Sequence, residues 1–112
     1  MINWGILGLG RMGMTFAHSV KETSNSKLMC VGSKSGKIFE DFENQTYEDI
    51  IMNDDVHAIY IATLNNTHIK LIKDIISNNK KILCEKPVSL SLEDLLEVKK
   101  LINEKKIQFY EA

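Results

Sequence analysis

The residues able to do chemistry lie in a few short stretches. The first is Gly8-Leu9-Gly10-Arg11-Met12-Gly13, which follows an apolar run and opens a helix-like segment. Glycines at this spacing, between a strand and a helix, cradle a phosphate-bearing ligand. Gly8 permits the tight turn, and Gly10 lets backbone approach a pyrophosphate with no side chain between. Gly13 lets the new helix press against the strand. Freed N–H groups and the helix dipole then form an anion site. The pattern points to a dinucleotide, against the plain alternative of a glycine-rich turn with no ligand.

The second stretch is Ser33-Lys34-Ser35. An NAD site usually carries Asp or Glu about 20 residues past the glycines, where it accepts hydrogen bonds from the ribose 2′-OH. No acid stands at 33, 34 or 35. Lys34 is a cation where a 2′-phosphate would sit, and a charge-assisted bond there contributes ~1.5–3 kcal/mol. The charge favours NADP over NAD, unless Lys34 is merely solvated. The third stretch is Glu85-Lys86-Pro87. A lysine at the carboxyl end of a strand can serve as acid/base or orient a substrate hydroxyl. Pro87 keeps Lys86 out of helical geometry and admits a cis bond. Taken alone, this tripeptide is also a common loop.

Alternating strands and helices must position these stretches. Asn3 to Leu7 reads as a buried strand, followed by a helix from Met12 to about Thr23. Leu28 to Val31 reads as a second strand, closing a βαβ unit of about 30 residues. Residues 34–37 look like a loop, and Ile38 to Phe42 fits a short strand or one helical turn equally well. Thr46 caps a short helix to Met52, and His57 to Ala62 is a buried strand. Thr63-Leu64-Asn65-Asn66 is a polar turn before a helix capped by Thr67 and running to about Ser77. Lys81 to Cys84 is a strand, Ser91 begins the last helix, and Ile107 to Tyr110 is a final strand. This order predicts an α/β fold, a doubly wound parallel sheet of the Rossmann type with five to six strands in one domain, 1–112. Ligands in such sheets bind beyond the carboxyl ends of the strands. All the chemistry-bearing stretches then share one rim.

Composition narrows the function classes. The chain has 112 residues, 44% hydrophobic and 26% charged, with a net charge of -1. That balance gives no reason to expect nucleic acid or an anionic membrane as partner. No apolar run approaches the ~20 residues of a membrane span, and the start lacks the pattern of a secretory signal. The two asparagine sequons at Asn44 and Asn65 therefore carry no glycan in this reading. Cys30 and Cys84 read as small buried residues, and no histidine has metal-ligand spacing with them. The expectation is a cytoplasmic protein without a metal.

Together these stretches resemble the N-terminal domain of the Gfo/Idh/MocA oxidoreductases. The resemblance rests on Gly5 to Gly13, Val56 to Thr63, Asn65 with His68, Leu83 to Pro87, and the closing Tyr110-Glu111-Ala112. Only residues 34–46 fall outside it. It implies a nicotinamide-dependent oxidoreductase acting on a sugar, polyol or related carbonyl compound. It implies that Lys86 assists hydride transfer by hydrogen bonding to the substrate oxygen. It places Thr63, Leu64, Asn65 and His68 along the cofactor, with Glu85 beside Lys86 at its reactive end. A serine and a basic residue at positions like Ser33 and Lys34 go with NADP in that family. The family usually has proline where Leu64 stands, and a longer segment before Tyr47, so the helix there is expected to be stunted.

The family also carries a C-terminal domain that holds the substrate. This sequence stops at Ala112, so the expectation is an isolated or truncated cofactor domain with slight activity of its own. A rival reading is a non-catalytic dinucleotide-binding or interaction module. An uncovered sheet flank at Ile107 to Tyr110 would invite a partner or a homo-oligomer. A third reading, S-adenosylmethionine or coenzyme A in the glycine turn, leaves Glu85-Lys86-Pro87 unexplained.

Overall fold

The structure is a computed structural model describing residues 1–112. Strands β1 (Ile2–Leu7), β2 (Ser26–Gly32), β3 (Ala58–Ile61), β4 (Lys81–Cys84) and β5 (Phe109–Glu111) form one sheet in the order β2-β1-β3-β4-β5. Every pairing is parallel. Four α-helices connect them: α1 (Arg11–Glu22), α2 (Tyr47–Met52), α3 (His68–Ser77) and α4 (Leu92–Lys105).

Parallel neighbours need right-handed crossovers. The chain moves one way from β1 to β2 and the other way from β2 onward, so its helices divide between the two faces. The packing shows this division. Ala17 and Val20 of α1 pack with Ile6, Val31 and Tyr60 on one face. Ile50 and Ile51 of α2, Ile72 and Ile75 of α3, and Val98 of α4 pack with Leu7, Ile59 and Ile61 on the other. β3 is buried along its whole length, which is why Ala58 to Ile61 reads as an unbroken apolar run rather than an alternation. The predicted fold class and strand count therefore stand, with five strands.

Two local expectations are corrected. Ile38 to Phe42 is neither strand nor helical turn. It is a loop with a turn at Glu40-Asp41, held because Phe39 buries its ring beside Phe42 and the His18 ring of α1. Thr67 stands at the N-cap of α3, but its hydroxyl makes no capping bond. Asn65–Thr67 is a 3₁₀ turn, and the Thr67 hydroxyl donates to Leu64 O at 2.6 Å. Thr46 and Ser91 do cap α2 and α4, accepting from the amides of Asp49 (3.0 Å) and Asp94 (3.3 Å).

A candidate dinucleotide site at the carboxyl rim

A row of backbone bonds ties the strand ends into one rim. Gly8 N–H donates to Gly32 O (2.8 Å), Ala62 to Leu7 O (2.8 Å), Glu85 to Ile61 O (2.9 Å) and Ala112 to Cys84 O (2.9 Å). The glycine turn, the end of β2, the turn after β3 and the Glu-Lys-Pro loop thus lie along one edge.

At the glycine turn each expected role has a geometric counterpart. Gly8 has φ +98°, and a Cβ there would stand 2.5 Å from Ala62 O. A Cβ on Gly13 would stand 1.9 Å from Gly8 O, so only glycine lets α1 start this close to the turn. A Cβ on Gly10 would meet nothing within 4 Å. Gly10 is therefore not required by packing; its bareness leaves space in front of the helix. The α1 terminus, like that of α3, differs from those of α2 and α4. It has no side-chain cap and no acid in its first turn, whereas α2 and α4 each have a cap and two acids there. The orphan N–H groups of a twelve-residue helix thus face that space unneutralised. An anionic pyrophosphate fits this cradle. Leu9 is buried beneath the turn, while Arg11 and Met12 are exposed on its outside.

Beyond β2, Ser33 is largely buried and its Oγ lies 2.9 Å from Ser35 Oγ. Lys34 and Ser35 are exposed. The Lys34 ammonium sits 5.4 Å from the centroid of the Tyr47 ring. Burial pushes the Tyr47 phenol up, with the Lys34 amide pulling it back. A cleft of about 680 Å³ opens between α2 and α3 and reaches the rim at Ser33, Lys34 and Asn44. No carboxylate of the Ser33–Ser35 stretch repels a phosphate there.

At the other end of the rim, every neighbour of Lys86 is pinned. The Tyr60 hydroxyl donates to Glu85 Oε2 at 2.5 Å. The Tyr60 phenol is pushed up by burial and by the adjacent Glu85 carboxylate, so it stays a donor. Behind it, the Phe16 ring packs at 4.3 Å and Trp4 packs edge-on to Phe16 at 5.0 Å. His68 is fully buried, with ring nitrogens 2.9 Å from Pro87 O and 3.2 Å from Thr63 O. Glu111 Oε2 accepts from Val88 N–H at 3.1 Å. The Lys86–Pro87 bond is cis. Lys86 itself is exposed on this fixed loop. Thr63 Oγ1 lies 2.6 Å from Thr67 Oγ1, and Leu64 and Asn65 are exposed beside it. His68, expected along the cofactor, lies under the rim and joins the two loops from below. Sequence reasoning missed Tyr60, Glu111, Asn44 and Tyr47 as supports.

The sequence pattern of the family described as "Oxidoreductase family, NAD-binding Rossmann fold" matches residues 2–112. The chain belongs to the Gfo/Idh/MocA oxidoreductase family. It is similar to the 2,7-anhydro-N-acetylneuraminate hydratase of Escherichia coli K12, at 27% identity over 97% of this chain and 31% of that protein. It is similar to the inositol 2-dehydrogenase of Rhizobium meliloti, at 29% identity over 94% of this chain and 34% of that protein. The fold superposes on the scyllo-inositol dehydrogenase of Lactobacillus casei with bound NAD(H) and scyllo-inositol, with a TM-score of 0.86. Identity there is 22%, over 100% of this chain and 36% of that one. The chain thus spans about a third of the length of these relatives and is the NAD-binding Rossmann domain of the family. No helix is long and apolar enough to cross a membrane.

Proposed function

We propose that residues 1–112 are the cofactor-holding half of an oxidoreductase that moves hydride between NADP and a sugar, polyol or related carbonyl compound. The carrying observation is the rim. An uncapped helix terminus, a cationic β2 end without acids, and a lysine on a pinned loop share one edge. The inositol dehydrogenases among the relatives support the polyol class.

In this reading Gly8 to Gly13 hold the pyrophosphate through their amides. Ser33, Lys34 and Ser35 receive a 2′-phosphate, which makes NADP preferred over NAD, and the cleft between α2 and α3 takes the adenosine side. Thr63, Leu64 and Asn65 line the cofactor, with His68 positioning their turn. Glu85 meets the nicotinamide end. A bound nicotinamide supplies or accepts the hydride. Lys86 hydrogen bonds to the substrate oxygen and carries its proton. Free buried cysteines suit the cytoplasm.

Titration with NADPH and NADH tests the cofactor reading. Lys34→Ala should weaken NADPH about 10–150-fold, the worth of one charge-assisted bond. NADH should change less than about twofold, and equal losses would refute the assignment.

A second reading has an observation of its own. Leu90, Leu92, Leu96 and Tyr110 are exposed on and beside α4 and β5. A non-catalytic module using this surface to form a homo-oligomer would scatter light as a stable dimer that binds cofactor and turns over nothing. A monomer in solution contradicts that reading.

A further inference from the structure

Asn44 lies in the stretch outside the family-like motifs, yet it grips Ser33, the residue before Lys34. Its Oδ1 accepts from Ser33 N–H at 2.7 Å, and its Nδ2 donates to Ser33 O at 3.1 Å. Its backbone bridges Val31 in parallel, and the next amide, Gln45 N–H, donates to Val31 O at 3.0 Å. Residues 44–45 thus stand as a stub of strand against the free edge of β2. The Asn44 carboxamide carries that pairing one step past Gly32, the last residue of β2.

This matters because Ser33 begins the loop that displays Lys34. With both backbone groups of Ser33 bonded, the loop direction is set. Ser33 Oγ then turns to Ser35 Oγ, Lys34 stays exposed over Tyr47 and the cleft mouth, and Ser35 stays exposed beside it. Asn44 is itself exposed, so shortening it opens no hole in the core.

We propose that Asn44 is a specificity-positioning residue. It fixes the Ser33–Ser35 loop so that Lys34 and Ser35 meet a 2′-phosphate, an inference that rests on the NADP reading above. Asn44 also borders the cleft mouth, but its proposed effect on the 2′-phosphate runs through the Ser33–Ser35 loop, to which both carboxamide bonds go.

The test compares 2′,5′-ADP with 5′-ADP as calorimetric ligands of the wild-type protein, Asn44→Ala, Lys34→Ala and the double variant. Asn44→Ala should weaken 2′,5′-ADP about tenfold, as expected when a charge-assisted bond is misaligned, and 5′-ADP less than about twofold. In the Lys34→Ala background the Asn44 change should weaken 2′,5′-ADP clearly less than in the wild type, because only the Ser35 hydroxyl is left to misplace. Asn44→Ser, melted alongside, repeats the comparison if the alanine variant is unstable. Equal losses on both nucleotides, or additive losses in the double variant, would reduce Asn44 to a scaffold and overturn the proposal alone. A wild-type protein that does not distinguish the two nucleotides would overturn the NADP reading, and this proposal with it.

Discussion

Substituting Gly10 and Gly13 separates a glycine kept for a ligand from a glycine kept for packing. Gly10 is the N-cap of α1, with φ −71° and ψ −165°, a backbone that alanine adopts freely. A methyl group there meets no protein atom. Replacing glycine by alanine at the cap costs about 0.5–1.5 kcal/mol, and the stiffer unfolded chain returns about 0.4–1 kcal/mol. The melting midpoint of Gly10→Ala should therefore stay within about 5 °C of wild type. The same methyl group occupies the approach to the α1 amides. A pyrophosphate pushed off them loses charge-assisted bonds worth ~1.5–3 kcal/mol, or about 10–150-fold in affinity. Gly13→Ala differs. Its methyl carbon would lie 1.9 Å from Gly8 O, so α1 or the turn must move by more than about 1 Å. Such overpacking costs about 1–3 kcal/mol, less whatever alanine returns in helix propensity. Circular dichroism melts and calorimetric titration with NADPH read both effects. Undiminished NADPH binding by a folded Gly10→Ala protein would refute the cradle.

His68→Leu should keep the ring volume while removing the ring N–H that one of the Thr63 and Pro87 carbonyls accepts. A loss of about 2 kcal/mol is expected by urea denaturation, with protease sensitivity rising at residues 63–67 and 85–90. Wild-type stability in that variant would contradict the joining role of His68. The buried thiols set an alkaline limit. Burial pushes Cys30 up to about 11 and Cys84 up to about 12, from an ordinary 9.0. Both folded values lie above the unfolded one, so their contribution is fully present below pH 9. It is lost as pH rises through 11 and 12. Urea midpoints should fall across that window, and Cys30→Ala should flatten the fall. An unchanged slope would contradict the assignment to Cys30.

The glycine turn was legible because its spacing, its preceding apolar run and its following helix all agree. Lys34 and Lys86 were legible as charges at strand ends. The supports were not, for a physical reason in each case. Tyr60 meets Glu85 only because the parallel register pairs Ile61 with Cys84, which turns Tyr60 and Glu85 toward the same face. Strand alternation offered that parity, but only once the neighbour of β3 was known. Asn44 looked like a loop residue in a stretch without periodicity, and its partner Ser33 lies eleven residues away. Ile38 to Phe42 misled because one buried ring, Phe39, anchors it as a loop. Thr67 has the residue type of a cap, yet the preceding 3₁₀ turn takes its hydroxyl.

The central claim is that separate loops along one rim hold a single dinucleotide. Amide chemical-shift mapping of the isotope-labelled 112-residue chain with NADPH tests it most directly. Saturable shifts are expected at Gly8–Gly13, Ser33–Ser35, Thr63–Asn65 and Glu85–Lys86 together. Asn53, Val56 and Lys80, bonded to one another at the opposite end of the sheet, should stay unmoved. Shifts confined to one loop, or no saturation below millimolar NADPH and NADH, would contradict it.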